Sequence, residues 1–189
     1  MKRKFIYISK VYFSILFFLL LLTCNSKSEI NQNKEDKKMN ENSRFVLFSD
    51  DFQDGTEIPS KFTCDGANIN PSLHWEGLPD NTKSLALVMD DPDAPGGVFT
   101  HWIVFNIPIS MNKIEQDVKF PAGIIELTND FGRYGYGGPC PPRGTHHYIF
   151  TIYALDIEKF DGTQSNYKNF LRKHTITQVK LTGLYRRKS

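Results

Sequence analysis

The sequence has no internal repeat and no heptad pattern, so repeat architectures and coiled coils are excluded. It has no serine or cysteine motif of the nucleophile-elbow type, and its histidines lack the His-Glu-x-x-His spacing of a zinc hydrolase. A basic stripe is missing too. Lys and Arg number 23 against 21 Asp and Glu, but Lys2, Arg3, Lys4 and Lys10 fall within the first 24 residues, where there is no acid. The remainder holds 19 basic and 21 acidic residues. Nucleic-acid-binding domains carry a concentrated basic face, and only the short tail Arg186-Arg187-Lys188 approaches one. Nucleic acid is therefore not an expected partner.

What is present begins with an export signal. In residues 1–24 a basic start precedes an apolar run from Val11 to Leu22, broken only by Ser14. Its 12 residues fall short of the roughly 18 expected of a spanning helix. The sequence Leu21-Leu22-Thr23-Cys24 resembles the lipobox of bacterial lipoproteins, which predicts lipidation of Cys24. Ordinary signal cleavage nearby and an uncleaved anchor are the alternatives. Residues 25–43 are almost wholly polar and predict a disordered tether. Such a coil lets a domain stand roughly 20–25 Å from a bilayer. The expected location is outside the cytoplasm, periplasmic or at the cell surface, through an N-terminal lipid anchor.

Residues 44–189 form the expected domain. Phe45 to Phe48 predict a first strand, and Leu73 and Trp75 alternate with His74 in another. Ser84–Asp90, His101–Ile107 and Tyr148–Leu155 are longer apolar runs, and Val179, Leu181 and Tyr185 alternate in a last one. Alternation places His101, Ile103 and Phe105 on one face of their strand and Trp102, Val104 and Asn106 on the other. One helix is predicted over Gln164–His174, where Tyr167, Phe170, Leu171 and His174 recur at helical spacing. Short strands, frequent Gly and Pro and little helix point to an all-β sandwich.

Two loops carry the candidate chemistry. In the first, Asp90-Asp91-Pro92-Asp93-Ala94-Pro95-Gly96-Gly97 interrupts an apolar run and leads into Thr100-His101-Trp102. Prolines and glycines make this a rigid turn holding carboxylates beside a histidine. The second reads Gly135-Tyr-Gly-Gly-Pro-Cys-Pro-Pro-Arg-Gly-Thr-His-His-Tyr148. Its Gly/Pro density predicts a stiff loop whose backbone amides form an anion-binding concavity. His146 and Tyr148 are two apart and share a face, with His147 turned away.

Together these motifs resemble the phosphatidylethanolamine-binding protein family, which includes Raf kinase inhibitor protein. Phe62-Thr63-Cys64-Asp65-Gly66-Ala67-Asn68-Ile69-Asn70-Pro71 is similar to its bacterial branch. The resemblance covers roughly Arg44 to Arg186 and implies a Greek-key sandwich of two antiparallel sheets. It implies a surface pocket for phosphate, phosphonate or acetate-like anions, or a phospholipid headgroup. Carried over, the pocket contains Asp91, Asp93, His101, Gly138, Cys140, Pro141, His146 and Tyr148. Imidazole, phenol and loop amides donate to the anion, and Asp91 orients a histidine or accepts from an ethanolamine amine. Asp93 is expected to cap its own turn, with a supporting role in the pocket. If Cys24 carries lipid, Cys64 and Cys140 are an even remainder, and in an exported protein they invite a disulfide.

The resemblance implies a binding module without cofactor or metal, one that inhibits a kinase or protease partner by occupying its surface. The alternatives are a metal- or cysteine-dependent hydrolase of phosphate esters and a surface protein with a vestigial pocket. In the hydrolase reading Asp91, His101 and His146 do the work, with Cys140 as nucleophile if it is free. Oligomeric state is not legible.

Overall fold

The computed structural model describes residues 44–187. The expected signal segment, Cys24 and the tether lie outside the described residues. Among those described, no helix is long and apolar enough to cross a membrane.

Among the described residues, besides a 3-10 turn at Ser60–Phe62, nine strands and one α-helix follow in the order β1 (Val46–Phe48), β2 (Thr56–Glu57), β3 (Leu73–Glu76), β4 (Ser84–Asp91), β5 (Phe99–Ile107), β6 (Lys113–Ile114), β7 (Ile125–Glu126), β8 (His146–Leu155), α1 (Tyr167–His174) and β9 (Thr175–Tyr185). They make two sheets, β1-β3-β6 and β2-β9-β8-β4-β5-β7. All pairings are antiparallel except the short parallel contact of β2 with β9. The chain leaves the β4–β5 hairpin by a long connection, and β8 returns to the free side of β4. The result is the β-rich sandwich expected.

Strand β4 reads as a continuous apolar run because both of its faces are covered. Leu85, Leu87 and Met89 enter the core between the sheets with Trp75, Trp102 and Phe150. Ala86 and Val88 face the other way, under α1, with Ile103, Phe105, Phe170 and Leu171.

The helix is shorter than the predicted Gln164–His174. Gln164 accepts from the Thr128 amide at 2.9 Å and donates to the Thr128 carbonyl at 2.8 Å, imitating a strand neighbour. Asn166 accepts from the Thr163 amide at 2.7 Å and closes a turn there. The Asn166 turn is a local bond of the kind that competes with helix, the Gln164 bonds tie that residue to a distant strand bridge, and together they hold the helix start back to Tyr167.

The face assignment along β5 is also corrected. Met89 pairs with Trp102 and Asp90 with Thr100, which leaves His101 as the extra residue of a β-bulge. The bulge removes His101 from the face of Ile103 and Phe105 and stands it edge-on to Tyr148, ring centroids 5.2 Å apart. Thr100 takes the helix side, its hydroxyl 3.4 Å from that of Tyr167. A second register shift lies near the end of β5, where Asn106 adopts a φ of 61°.

Candidate functional site

In the large sheet β4 lies between β5 and β8 and runs antiparallel to both. The C-terminal end of β4 therefore meets the N-terminal ends of its two neighbours. That alone gathers Asp91 and His101, from the two arms of one hairpin, with His146 and Tyr148 from about 45 residues further on.

Asp91 and His146 form a buried pair. The His146 Nδ1–H donates to Asp91 Oδ2 at 2.7 Å, with side chains only 8% and 5% exposed. The other Asp91 oxygen accepts from the Asp93 amide at 2.8 Å. Asp91, rather than Asp93, is thus the cap of the turn. Asp93 reaches across instead and accepts from the His147 backbone amide at 2.8 Å and its ring Nδ1 at 2.7 Å. Those two contacts, the backbone one foremost, hold the Asp93 carboxyl below its ordinary value. His147 points outward as expected.

His101 is buried, and its Nδ1 lies 2.6 Å from the Gly137 carbonyl. A carbonyl only accepts, so Nδ1 carries the proton and a neutral ring leaves a lone pair on Nε2. Burial pushes the imidazole down from its ordinary value, against the Gly137 carbonyl, which favours the charged ring. The rings of Phe99, Phe131 and Tyr148 box it in, at centroid distances of 5.2, 5.1 and 5.2 Å.

Tyr148 is fully buried, yet its hydroxyl has no hydrogen-bond partner. Burial first, then the Asp91 charge, pushes its ionisation far up. Neither Asp91 nor the Cys140 backbone, which both influence the phenol, reaches it in hydrogen-bond geometry.

The second loop is pinned from below. Cys64 and Cys140 are joined in a disulfide with Cα atoms 5.4 Å apart, and the Cys64 amide donates to the Pro139 carbonyl at 3.0 Å. Pro141 is buried, whereas Pro142 to Thr145 form an exposed tip. Gly138 is a packing residue, because a Cβ there would lie 2.5 Å from the Phe62 carbonyl oxygen and from Asn68 Oδ1. Its amide donates to Asn68 Oδ1 at 2.8 Å, and that of Gly137 to the His101 carbonyl at 3.0 Å. The amides expected to face an anion are, at these two positions, already occupied within the fold.

The sequence reading missed three residues that shape the site. Asn129 is buried and accepts from the Phe131 amide at 3.0 Å while donating to the Gly135 carbonyl at 2.9 Å, so it folds the loop that covers His101. The signal was available, since Asn-Asp ahead of Phe-Gly is a turn composition. The Gly137 carbonyl and the Phe131 ring left no comparable mark. Among the described residues, no group of three His, Cys, Asp or Glu side chains is placed to hold a metal ion.

Comparison with known proteins agrees with this fold. The family described as "Phosphatidylethanolamine-binding protein" matches residues 48–186. A UPF0098 protein of Methanothermobacter thermautotrophicus is 46% identical over 143 residues, 72% of this chain and 95% of the relative. The crystal structure of YbcL from Escherichia coli, titled a new member of the mammalian PEBP family, superposes with a TM-score of 0.71 at 34% identity. That match covers 76% of this chain and 99% of YbcL. A Mycobacterium tuberculosis protein, LppC, whose name classes it provisionally as a lipoprotein, is 49% identical over 108 residues, 56% of this chain and 53% of LppC. The sheet order, the two loops and these relatives agree, and the chain belongs to the phosphatidylethanolamine-binding protein family.

Proposed function

We propose that the chain is a binding module for phosphate-type anions, free or as a phospholipid headgroup, held outside the cytoplasm by a lipid on Cys24. The observation that carries this reading is the Tyr148 hydroxyl, buried without a partner beside the Asp91–His146 pair and His101. A donor kept dry and unpaired costs stability in the free protein and recovers it when an acceptor arrives. Where His101 takes up a second proton, its Nε2 becomes a further donor, Nδ1 being occupied by the Gly137 carbonyl, and His146 is held beside it through its own Nδ1 by Asp91. Asp91 acts by orienting His146. The lipoprotein name of the mycobacterial relative supports the anchor. Inhibition of a kinase or protease partner rests on the family resemblance and would use this same surface. A cysteine-dependent hydrolase is disfavoured, because the Cys140 sulfur is bridged to Cys64.

Calorimetric titration of the full chain in nonionic detergent with phosphoethanolamine, inorganic phosphate and acetate tests the reading. Saturable binding is expected for the two phosphates. It should weaken about 10-fold or more in Tyr148→Phe and in His101→Ala, the scale of one hydrogen bond to a charged group. Heats that do not saturate in folded protein, or variants that bind as the parent does, would overturn it.

A further inference from the structure

A cavity of about 420 Å³ lies on the α1 side of the large sheet, and none of Asp91, His101, His146 and Tyr148 lines it. Its size falls within the range of about 300–1,000 Å³ typical of small-ligand sites. The floor is Val88 and Asp90 of β4 with Tyr153 of β8. One wall is the face of α1 that carries Lys168, Leu171 and Arg172, which helical spacing brings together. Val98, at the hairpin end, is 55% exposed and offers the cavity open apolar surface.

Charges of both signs face this space without meeting. Asp90 Oδ1 accepts from the Thr100 hydroxyl at 2.8 Å, and among the described residues Oδ2 accepts no hydrogen bond. Burial pushes the carboxyl above its ordinary value, against the Thr100 bond and the charge of Lys168. The Lys168 ammonium rides over the Tyr167 ring, 5.7 Å from its centre. It is close enough to act on Asp90, yet among the described residues neither Lys168 nor Arg172 takes part in an ion pair. A simple anion here would satisfy the two cations and meet like charge at Asp90. A simple cation would satisfy Asp90 and be repelled by Lys168 and Arg172. A small zwitterion answers both, with its ammonium on the free Asp90 oxygen and its carboxylate on the α1 cations. The open surface of Val98 favours an apolar group on the same molecule. An α-amino acid with an apolar side chain has all three parts.

We propose that this cavity is a binding site for an apolar α-amino acid, with Asp90 receiving the ammonium group, Lys168 and Arg172 the carboxylate, and Val98 the side chain. It is independent of the phosphate reading, and each fails separately when phosphate binding is measured in the same samples.

Equilibrium dialysis of the full chain in nonionic detergent against radiolabelled leucine tests it, and saturable binding is expected. N-acetylleucine lacks the ammonium charge, leucinamide lacks the carboxylate and glycine lacks the side chain, so each should compete about 10-fold more weakly than leucine. Asp90→Asn still offers an oxygen to Thr100, and Lys168 and Arg172 are exposed, so these changes leave the packing in place. Asp90→Asn, and Lys168→Gln combined with Arg172→Gln, should each weaken leucine about 10-fold. The combined variant should bind inorganic phosphate as the parent does. Binding that does not saturate by about 10 mM leucine, where even a ligand of about 1 mM affinity is mostly bound, would overturn the proposal. So would N-acetylleucine or leucinamide competing as well as leucine, or a combined variant that keeps leucine or loses phosphate.

Discussion

Replacing Tyr148 with phenylalanine removes one oxygen and leaves the ring where it is, edge-on to His101 at 5.2 Å and stacked near His146 at 6.5 Å. In most buried tyrosines this loses a hydrogen bond. Here the hydroxyl has none to lose. A buried polar group without a partner costs about 1–3 kcal/mol, so Tyr148→Phe is expected to stabilise the free protein by about 1–2 kcal/mol. For a domain of this size that raises Tm by about 2–6 °C. The internal comparison is Tyr136→Phe, because the Tyr136 hydroxyl donates to the Phe62 carbonyl at 2.8 Å and its removal should cost about 1 kcal/mol. Urea unfolding of both variants reads the difference directly, and it should change sign between them. Saturating phosphate should then favour the parent over Tyr148→Phe, because a ligand at about 100 times its Kd stabilises by about 2.7 kcal/mol. If Tyr148→Phe is destabilised as much as Tyr136→Phe in anion-free buffer, the hydroxyl is satisfied in solution and the reasoning fails.

Three further outcomes follow from the same geometry. Breaking the bridge between Cys64 and Cys140, 76 residues apart, by the double alanine substitution should cost about 4 kcal/mol in denaturant unfolding; a loss under about 1 kcal/mol would refute a structural role. Because burial holds the His101 pKa below its ordinary value, the unfolded chain binds its proton first, so stability should fall as pH drops from about 6.5 towards the folded pKa. Sulfate, whose own charge is constant between about pH 5 and 8, should bind more tightly across that same fall, and His101→Ala should flatten the profile.

The fold was legible where burial on both faces wrote long apolar runs, as at Leu85 to Met89 and Tyr148 to Leu155, and where helical spacing marked Tyr167, Phe170 and Leu171. It was less legible where one residue changes the count. Strict alternation puts His101 beside Ile103, and no composition signal announces the bulge that turns it to Tyr148. The helix start failed for a related reason, since Gln164 is a good helix former that finds a better partner in Thr128. Within the site, residue types carried the reading and bond directions did not. Asp91 and Asp93 look equivalent in sequence, yet one binds the histidine facing in and the other the histidine facing out. Backbone contributors such as the Gly137 carbonyl are invisible to any argument from side chains.

The hairpin between β4 and β5 has a practical consequence for engineering. Asp91 and Asp93 fasten its base to β8, whereas Pro95 to Val98 at its tip are exposed, and a Cβ built on Gly96 or Gly97 meets nothing within 4 Å. A peptide or reporter inserted between Gly96 and Gly97 would therefore ride on a rigid stalk a few residues from Asp91. The tip is a natural port for new specificity, one that lengthens the reach of the site while leaving its own side chains in place.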